Sequence, residues 1–371
     1  MPGSVYAVAR SGAAAPADEV CPLNVGDTWL EPMEGARLED IAQSEHEGLN
    51  RYSDPRGVPE LIDAIVEKVR SCNRIAAERG SVLVSAGATS ALACAVGTLA
   101  GPGEEVLILA PFWPLIRGTV QAFRATPVEV PFYDRVDSPE AAVEVVRERL
   151  SERTVALYVC TPSNPTGRVL PEAQLVALAD LARRENLWLI SDEVYEDYVY
   201  CGKHVSLARF APERTLTSFS FSKAYGVAGY RVGYLVGPEP VIAQVGKIGT
   251  HTYYCAPTAA QHAAHRMLEA GGRWVERARR EYVAVAESAS RALGVTMPEG
   301  STFLFLDAGR ALDERGTPGF LADLLEQGVA LAPGSSSGEA YASWVRLCYT
   351  AAPPDRVLRA IDQLAARLRV R

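Results

Sequence analysis

The chain contains very little lysine. Among its 371 residues there are only four lysines, whereas arginine is common. Arginine supplies positive charge as well as lysine does, but its guanidinium stays protonated and cannot act as an amine nucleophile. A lysine placed in a loop of small residues is therefore a candidate for a chemical role. The four lysines are Lys68, Lys203, Lys223 and Lys247.

The cysteine pattern, the lack of long apolar segments and the net charge narrow the class of protein. The seven cysteines are scattered and form no Cys-x-x-Cys pair, so we expect reduced cysteines in a cytoplasmic protein. No segment approaches the roughly eighteen consecutive apolar residues of a membrane-spanning helix, and the first residues lack a sustained apolar signal segment. The net charge of −8 disfavours a nucleic acid or an anionic membrane as the partner. We therefore expect a small-molecule substrate.

What is present is a long alternation of apolar and amphipathic segments. A chain of this length with 48% apolar residues is expected to form two domains. From about Ser81 nearly continuous apolar runs alternate with helical patterns, which indicates an α/β fold with a mostly parallel sheet covered on both faces. After about His265 a long helix and several short strands indicate a smaller α+β unit. We predict an N-terminal arm with part of the small domain at 1–44, a large domain at 45–265 and the small C-terminal domain at 266–371.

The segment SFSFSKAYGVAGYRVGYLVG, residues 218–237, places Lys223 among small residues and Arg231 eight residues later. Lys223 is a candidate Schiff-base former, and the alternative is an inert lysine on a surface turn. The segment resembles the cofactor-lysine motif of fold-type I pyridoxal 5'-phosphate (PLP) enzymes, in particular the class I/II aminotransferases. In that family the lysine holds the cofactor as an internal aldimine. The resemblance implies that Ser220 and Arg231 bind the cofactor phosphate.

Two polar sites follow apolar strands further upstream. Asn164 lies in the turn of VCTPSNPTG, and Asp192 ends the apolar run of LWLISDEVYEDYVY, with Tyr195 just after it. A carboxylate that emerges from such a run is costly to bury without a partner. The resemblance supplies one, because it implies that Asp192 pairs with the ring nitrogen while Asn164 and Tyr195 contact the phenolic oxygen. The alternative for Asp192 is an N-cap of an acidic helix. We predict Lys223, Asp192 and Tyr195 as the catalytic residues.

A strand-to-helix turn and a tryptophan complete the expected cofactor site. In SAGATSAL, Gly87, Ala88 and Thr89 open a helix, whose N-terminal amides favour an anion. In the family this turn holds the phosphate. Trp113 in APFWPLIR aligns with the aromatic residue that stacks on the pyridine ring, although a core or interface tryptophan is the alternative.

Three more matches concern the substrate and the assembly. By resemblance, Arg346 in SWVRLCYTA binds the substrate α-carboxylate, together with Asn164, and Gly26 in LNVGDTW lines the same site. Tyr52 in GLNRYSDPRG corresponds to a tyrosine that reaches the phosphate of the neighbouring subunit, which implies a homodimer with shared active sites. Phe303, after Thr302, departs from the family pattern near the substrate pocket, so the substrate is left open.

The resemblance implies a fold-type I PLP-dependent transferase, with a mostly parallel seven-stranded sheet in the large domain and a smaller α+β domain. We expect a PLP-dependent aminotransferase that moves an amino group between an L-amino acid and a 2-oxo acid through the Lys223 aldimine. A PLP-dependent lyase, cyclase or oxidase of the same fold, acting on an amino acid in natural-product biosynthesis, is the alternative. Aspartate specificity is not supported, because Arg346 accounts for one carboxylate only.

Other interpretations have less support in the sequence. A transcription regulator with an aminotransferase-like domain is disfavoured, because no basic helix-turn-helix module is present. His262 and His265 lie one helical turn apart but lack a third metal ligand, so we predict no metal site. His251, Tyr253 and Tyr254 are either substrate contacts or interface residues.

Overall fold

A seven-stranded sheet forms the centre of the protein in the computed structural model, which describes residues 20–369. The strands lie in the order β1-β7-β6-β5-β4-β2-β3; β7 is antiparallel to both of its neighbours, β1 and β6, and every other adjacent pair is parallel. The predicted mostly parallel sheet is therefore confirmed. Its strands are β1 (Val82–Ser85), β2 (Glu105–Ala110), β3 (Thr126–Pro131), β4 (Thr154–Cys160), β5 (Trp188–Asp192), β6 (Thr215–Ser220) and β7 (Gly233–Val236).

Helices cover both faces of this sheet, because its strands are apolar on both sides. In β2, Val106 and Ile108 belong to one buried cluster and Leu107 and Leu109 to another, as the alternation of side chains along a strand requires. The helices of this part are α1 (Pro59–Ser71), α2 (Ala88–Leu99), α3 (Pro114–Ala122), α4 (Pro139–Arg147), α5 (Glu172–Arg184), α6 (Phe221–Ala224), α7 (Glu239–Thr252) and α8 (Thr258–Ala270).

A smaller antiparallel sheet follows in the chain, in the order β8-β10-β9. Cys21 and Leu23 join its buried cluster, so the N-terminal segment returns to this unit as expected. The domain boundaries stay predictions, and residues 1–19 of the predicted arm lie outside the described residues. The elements are α9 (Gly272–Leu293), β8 (Phe303–Asp307), α10 (Gly316–Glu326), β9 (Ala332–Pro333), β10 (Trp344–Cys348) and α11 (Pro354–Arg369).

The strand β9 is much shorter than the apolar segment VALAP that contains it. Of this segment only Ala332 and Pro333 pair with β10, and a 3-10 turn follows at once. Proline cannot donate a ladder hydrogen bond, and a Cβ at Gly334 would lie 2.6 Å from the carbonyl oxygens of Tyr341 and Trp344. Within residues 20–369, no helix combines the length and the apolar character that crossing a membrane requires.

Candidate active site

A cavity of about 200 Å³ lies at the carboxyl ends of β4, β5 and β6, beside the start of α2. The ends of parallel strands are the usual ligand positions of open α/β sheets. The cavity brings together side chains from segments that are far apart in the sequence. Nine predicted site residues line it: Ala88, Thr89, Trp113, Asn164, Asp192, Tyr195, Ser220, Lys223 and Arg231.

Lys223 lies on α6, a single helical turn directly after β6. Ser220 begins this turn, and its hydroxyl accepts a hydrogen bond of 3.1 Å from the amide of Ser222. The Lys223 ammonium is half-buried and donates to the carbonyl of Gly26. Burial lowers the pKa of Lys223; Cys348 and Asp27 oppose this shift, and Arg346 and Arg231 add to it. The environment therefore favours the neutral amine, which is the nucleophilic form.

The start of α2 and Arg231 form a cationic cup at one end of the cavity. Gly87 has a φ of 81°, and a Cβ added there would collide with the guanidinium of Arg231. Arg231 is itself left-handed, with a φ of 55°, and its Nη1 donates to the carbonyl of Ala228 at 2.6 Å. The free amides of a helix start and a nearby arginine together attract an anion, and Thr89 adds a hydroxyl.

Asp192 is a buried carboxylate with only one of its oxygens hydrogen-bonded. It is 3% exposed; Oδ2 accepts a 2.6 Å hydrogen bond from the hydroxyl of Tyr158, whereas Oδ1 has no partner. Burial raises the pKa of Asp192 to about 6, and the hydrogen bond from Tyr158 and the nearby amide of Val194 oppose that rise. A turn and not a helix follows Asp192, so the N-cap alternative is wrong. The open oxygen is suited to a cationic partner.

Arg346 is a buried guanidinium whose hydrogen bonds go to neutral oxygens. It is 1% exposed; Nη1 donates to Asn164 Oδ1 at 3.0 Å and Nη2 to the carbonyl of Asn24 at 2.9 Å, while Nε has no partner. The ring of Phe303 lies 4.6 Å from its guanidinium carbon. No described carboxylate forms an ion pair with Arg346, so this site is suited to a carboxylate ligand.

Gly26 allows the backbone to approach the aromatic side of the cavity. A Cβ at Gly26 would lie 2.7 Å from Phe303 Cζ and 3.6 Å from the Tyr195 hydroxyl. Tyr195 is 2% exposed, and burial raises its pKa well above the usual range, so it remains a neutral hydrogen-bond donor. Trp113 directly precedes α3 and is half-buried at the cavity wall.

Four predicted site residues are outside this lining. Gly26, Gly87 and Arg346 each contact a residue that lines the cavity, whereas Tyr52 lies apart from it. The side chain of Tyr52 is 83% exposed and meets Tyr254 edge to face, with 5.0 Å between the ring centroids. Tyr254 has a left-handed backbone, with a φ of 65°. The two tyrosines therefore form an aromatic pair on the surface of the single chain.

The sequence interpretation missed one polar neighbour of the cavity and several lining residues. Tyr158 is the polar residue, and its only signal is a hydroxyl within the otherwise apolar stretch ALYVC. The other missed residues carry no chemical signal of their own: Leu92, Leu115, Val194, Ser222 and Ala228.

A polar network centred on Glu193, the residue after Asp192, lies behind the cavity. Glu193 is fully buried; Oε1 accepts hydrogen bonds from Ser191, Ser206 and the amide of Leu207, and Oε2 lies 2.8 Å from His204 Nε2.

Glu196 lies next to this network. Together with Glu193 and His204 it is close enough to hold a metal ion. However, Lys68 forms an ion pair with Glu196, and Asn73 donates to the same carboxylate. The Lys68 ammonium thus already supplies the positive charge that balances Glu196.

Comparisons with known proteins match this chain to one enzyme family over most of its length. The family model "Aminotransferase class I and II" matches residues 18–364. An aspartate/prephenate aminotransferase of Thermus thermophilus is 33% identical over 330 residues, which cover 86% of this chain and 83% of the relative. The structure of an aspartate aminotransferase from Thermus thermophilus with maleate superimposes with a TM-score of 0.88 at 31% identity, covering 99% of this chain and 97% of the other. An aromatic aminotransferase from Pyrococcus horikoshii gives a TM-score of 0.86 at 29% identity, covering 94% and 95%.

Proposed function

The chain belongs to the class I and II aminotransferases and is a PLP-dependent enzyme, and from this membership we propose that the cavity holds PLP with Lys223 as the residue that bonds to it. Membership confirms the predicted fold class, cofactor and aminotransferase activity. The relatives described above are all named aminotransferases, which favours this activity over the lyase, cyclase and oxidase alternatives. The observation that carries the assignment of the cavity is the convergence of Lys223, Asp192 and Arg231 upon it.

The residues of the cavity fit PLP at three places. The unpartnered Oδ1 of Asp192 suits a protonated ring nitrogen, because an ion pair would offset the cost of burying this carboxylate. The start of α2, with Gly87 pressed against Arg231, suits the phosphate. The half-buried Lys223 amine suits the aldehyde carbon.

When bound, PLP supplies an electron sink for negative charge at the substrate α carbon. In our proposal Lys223 Nζ would remove the α proton, and burial, which lowers the pKa of Lys223, favours the neutral amine that this step requires. Asp192 would hold the proton of the ring nitrogen, and Tyr195 and Asn164 would donate to the phenolic oxygen. Trp113 would pack against the ring and keep water from that face.

The substrates are an amino acid and a 2-oxo acid, and we propose that the preferred amino acid has one carboxylate. Arg346 and Asn164 hold that α-carboxylate, with Gly26 beside them. Each cation of the described site then has an assigned role, and the remaining wall includes Leu92 and Leu115. An uncharged side chain fits such a wall better than a second carboxylate does.

A half-reaction assay tests the proposed function. The PLP-loaded protein is mixed with leucine, phenylalanine or aspartate, each with and without 2-oxoglutarate, and the 2-oxo acid product is measured. Without an acceptor we expect about one equivalent of product per site, and with an acceptor continuous turnover, as ping-pong kinetics require. Continuous turnover without an acceptor contradicts transamination. A rate with aspartate above that with both apolar donors contradicts the proposed specificity.

We further propose a cytoplasmic homodimer in which Tyr52 completes the site of the partner subunit. This tyrosine is exposed and lies outside the cavity of its own chain. All seven cysteines are free, which supports a reducing compartment.

Mixing two inactive variants tests the shared site. In a hybrid of Tyr52→Ala and Lys223→Ala chains, one of the two sites receives both native residues. Random reassociation should restore about a quarter of wild-type activity. The same chains mixed without exchange of subunits are the control. No recovery despite hybrid formation, shown by native mass spectrometry, contradicts the shared site.

A further inference from the structure

Tyr158 places a buried hydroxyl within the apolar strand β4. Its side chain is 0% exposed, and its hydroxyl donates to Asp192 Oδ2 at 2.6 Å. Tyr158 is not among the residues that line the cavity, and the side-chain contact it makes towards the site is the one to Asp192. We propose that Tyr158 is a positioning residue, which orients the Asp192 carboxylate so that Oδ1 is presented to the cofactor ring. This inference rests on the proposed function of the cavity.

The register of the sheet explains why a tyrosine is needed at this position. In the parallel pair β4–β5, Asp192 lies opposite Cys160, and Tyr158 lies opposite Ile190. Tyr158 therefore starts two residues behind the carboxylate, on the same face of β4 as Cys160. The long phenol ring spans this offset, whereas a serine or threonine hydroxyl at the same position stays close to the backbone.

The hydrogen bond makes the two oxygens of Asp192 different. The terminal torsion of an aspartate is broad, so a carboxylate without a fixed oxygen turns easily. Tyr158 fixes Oδ2, and Oδ1 is then the oxygen left without a partner. A hydroxyl donor to a carboxylate also favours the ionised form, which is the form that pairs with a ring N–H. Burial raises the pKa of Tyr158 well above its usual range, so this hydroxyl stays a donor.

Tyr133 provides a matched control in the same region. It is also buried, at 4% exposure, and its hydroxyl donates to the carbonyl of Cys160 at 2.7 Å and accepts from the amide of Cys160 at 2.9 Å. Its hydroxyl thus supports the backbone next to the site without bonding to Asp192. Tyr133→Phe removes a buried tyrosine hydroxyl but leaves the Tyr158–Asp192 contact intact.

The test compares Tyr158→Phe with Tyr133→Phe in the whole protein. We measure the dissociation constant of PLP and the pH at which the visible absorbance of the bound cofactor changes. Tyr158→Phe should weaken PLP binding about 10-fold or more and shift the absorbance titration, because the lost hydrogen bond goes to a charged group. Tyr133→Phe should change the PLP affinity less than about 3-fold. Equal behaviour of the two variants overturns the inference.

A double-substitution cycle separates positioning from packing. If Tyr158 acts through Asp192, Tyr158→Phe should have no further effect on PLP affinity in an Asp192→Asn background. An undiminished loss in that background overturns the inference. If Tyr158→Phe does not fold, replacing Tyr158 by 3-fluorotyrosine keeps the shape and alters the acidity of the hydroxyl; an unchanged absorbance titration then overturns it. Failure of the wild-type protein to bond PLP through Lys223 instead refutes the proposed function.

Discussion

Asp192 and Glu193 are adjacent buried carboxylates with opposite surroundings. Glu193 is bonded on both oxygens, to two serines, a backbone amide and His204, so both oxygens of this carboxylate are satisfied, while His204 Nδ1 is left without a partner. Asp192 has a single side-chain donor, Tyr158, and one oxygen without a partner. A fully bonded buried carboxylate contributes to the fold, whereas a half-bonded one carries a cost that a ligand can offset. Asp192, the last residue of β5, is thus suited to bind a ligand, whereas the next residue, Glu193, stabilises the fold.

The largest expected effect belongs to Lys223, which lines the same cavity as Asp192. Lys223→Ala should lower turnover at least about 10³-fold, because both the nucleophile and the base are lost. Borohydride reduction followed by peptide mass spectrometry should show PLP attached to Lys223 in the wild type and no attachment in the variant. Lys247→Ala, at an exposed lysine that bonds Gln244, is the matched control and should behave as the wild type. Turnover by Lys223→Ala at the control rate contradicts the assignment.

The substitution Asp192→Asn should separate activity from stability. We expect turnover to fall about 10²-fold or more, because a neutral amide does not hold the ring proton. Burial raises the pKa of Asp192 to about 6, so the carboxylate lowers the stability of the cofactor-free protein as pH rises towards that value. At pH 8 this cost is complete, and Asn should raise the free energy of unfolding of the cofactor-free protein by about 1 kcal/mol.

Urea unfolding of the cofactor-free proteins checks the second part of this prediction. The difference between Asp192→Asn and the wild type should be larger at pH 8 than at pH 4, where the wild-type carboxyl is protonated in the folded state. If Asp192→Asn is both inactive and less stable than the wild type at pH 8, the proposed difference between Asp192 and Glu193 is contradicted.

Asp192 was predictable from the sequence as a site residue, because the pattern that marks it lies within its own segment. Asp192 ends an apolar run, and Lys223 is a scarce residue in a loop of small residues, so each is conspicuous in its own segment. The parallel sheet was predictable for a similar reason, because its strands are nearly continuous apolar runs. These features required no knowledge of which residues meet in space.

The hydrogen bonds of Glu193 were not predictable from the sequence, because the partners come from separate segments. Glu193 is one of several acidic residues in SDEVYEDYVY, and its bonds reach forward to His204 and Ser206 across an irregular loop. Tyr158 reaches Asp192 through the pairing of two strands that are 34 residues apart at this contact. Strand register and loop closure decide such contacts, and neither leaves a pattern in one segment.

The substitution Glu193→Gln should have the opposite effects to Asp192→Asn. The amide would place an N–H₂ group against donors that now meet a carboxylate, so we expect the free energy of unfolding to fall by about 1–3 kcal/mol. The folded protein should still bind PLP, because Glu193 lies outside the cavity lining. Denaturant unfolding and PLP titration measure the two effects. Glu185→Gln, at an exposed position, is the control, and loss of PLP binding without loss of stability would contradict a structural role.

The smallest expected effect is the pH dependence of the His204–Glu193 pair. Burial lowers the pKa of His204, but the charge and the hydrogen bond of Glu193, helped by Glu196 and opposed by Lys68, raise it overall. A histidine whose pKa is raised on folding stabilises the protein fully below its ordinary pKa, and the gain is lost as pH rises through the folded-state value. The wild type should therefore exceed His204→Gln in unfolding free energy by more at pH 6 than at pH 9.

The expected change in that difference is about 1 kcal/mol, because one titrating group is involved. His265→Gln is the matched control: His265 pairs with Glu269 one turn away on α8, and a pair this exposed contributes little. The control difference should stay nearly constant between the two pH values. If the His204 difference instead grows as pH rises, the histidine is neutral when it bonds Glu193. The network behind the cavity would then be held by hydrogen bonding alone, and its contrast with Asp192 would rest on the number of donors and not on charge.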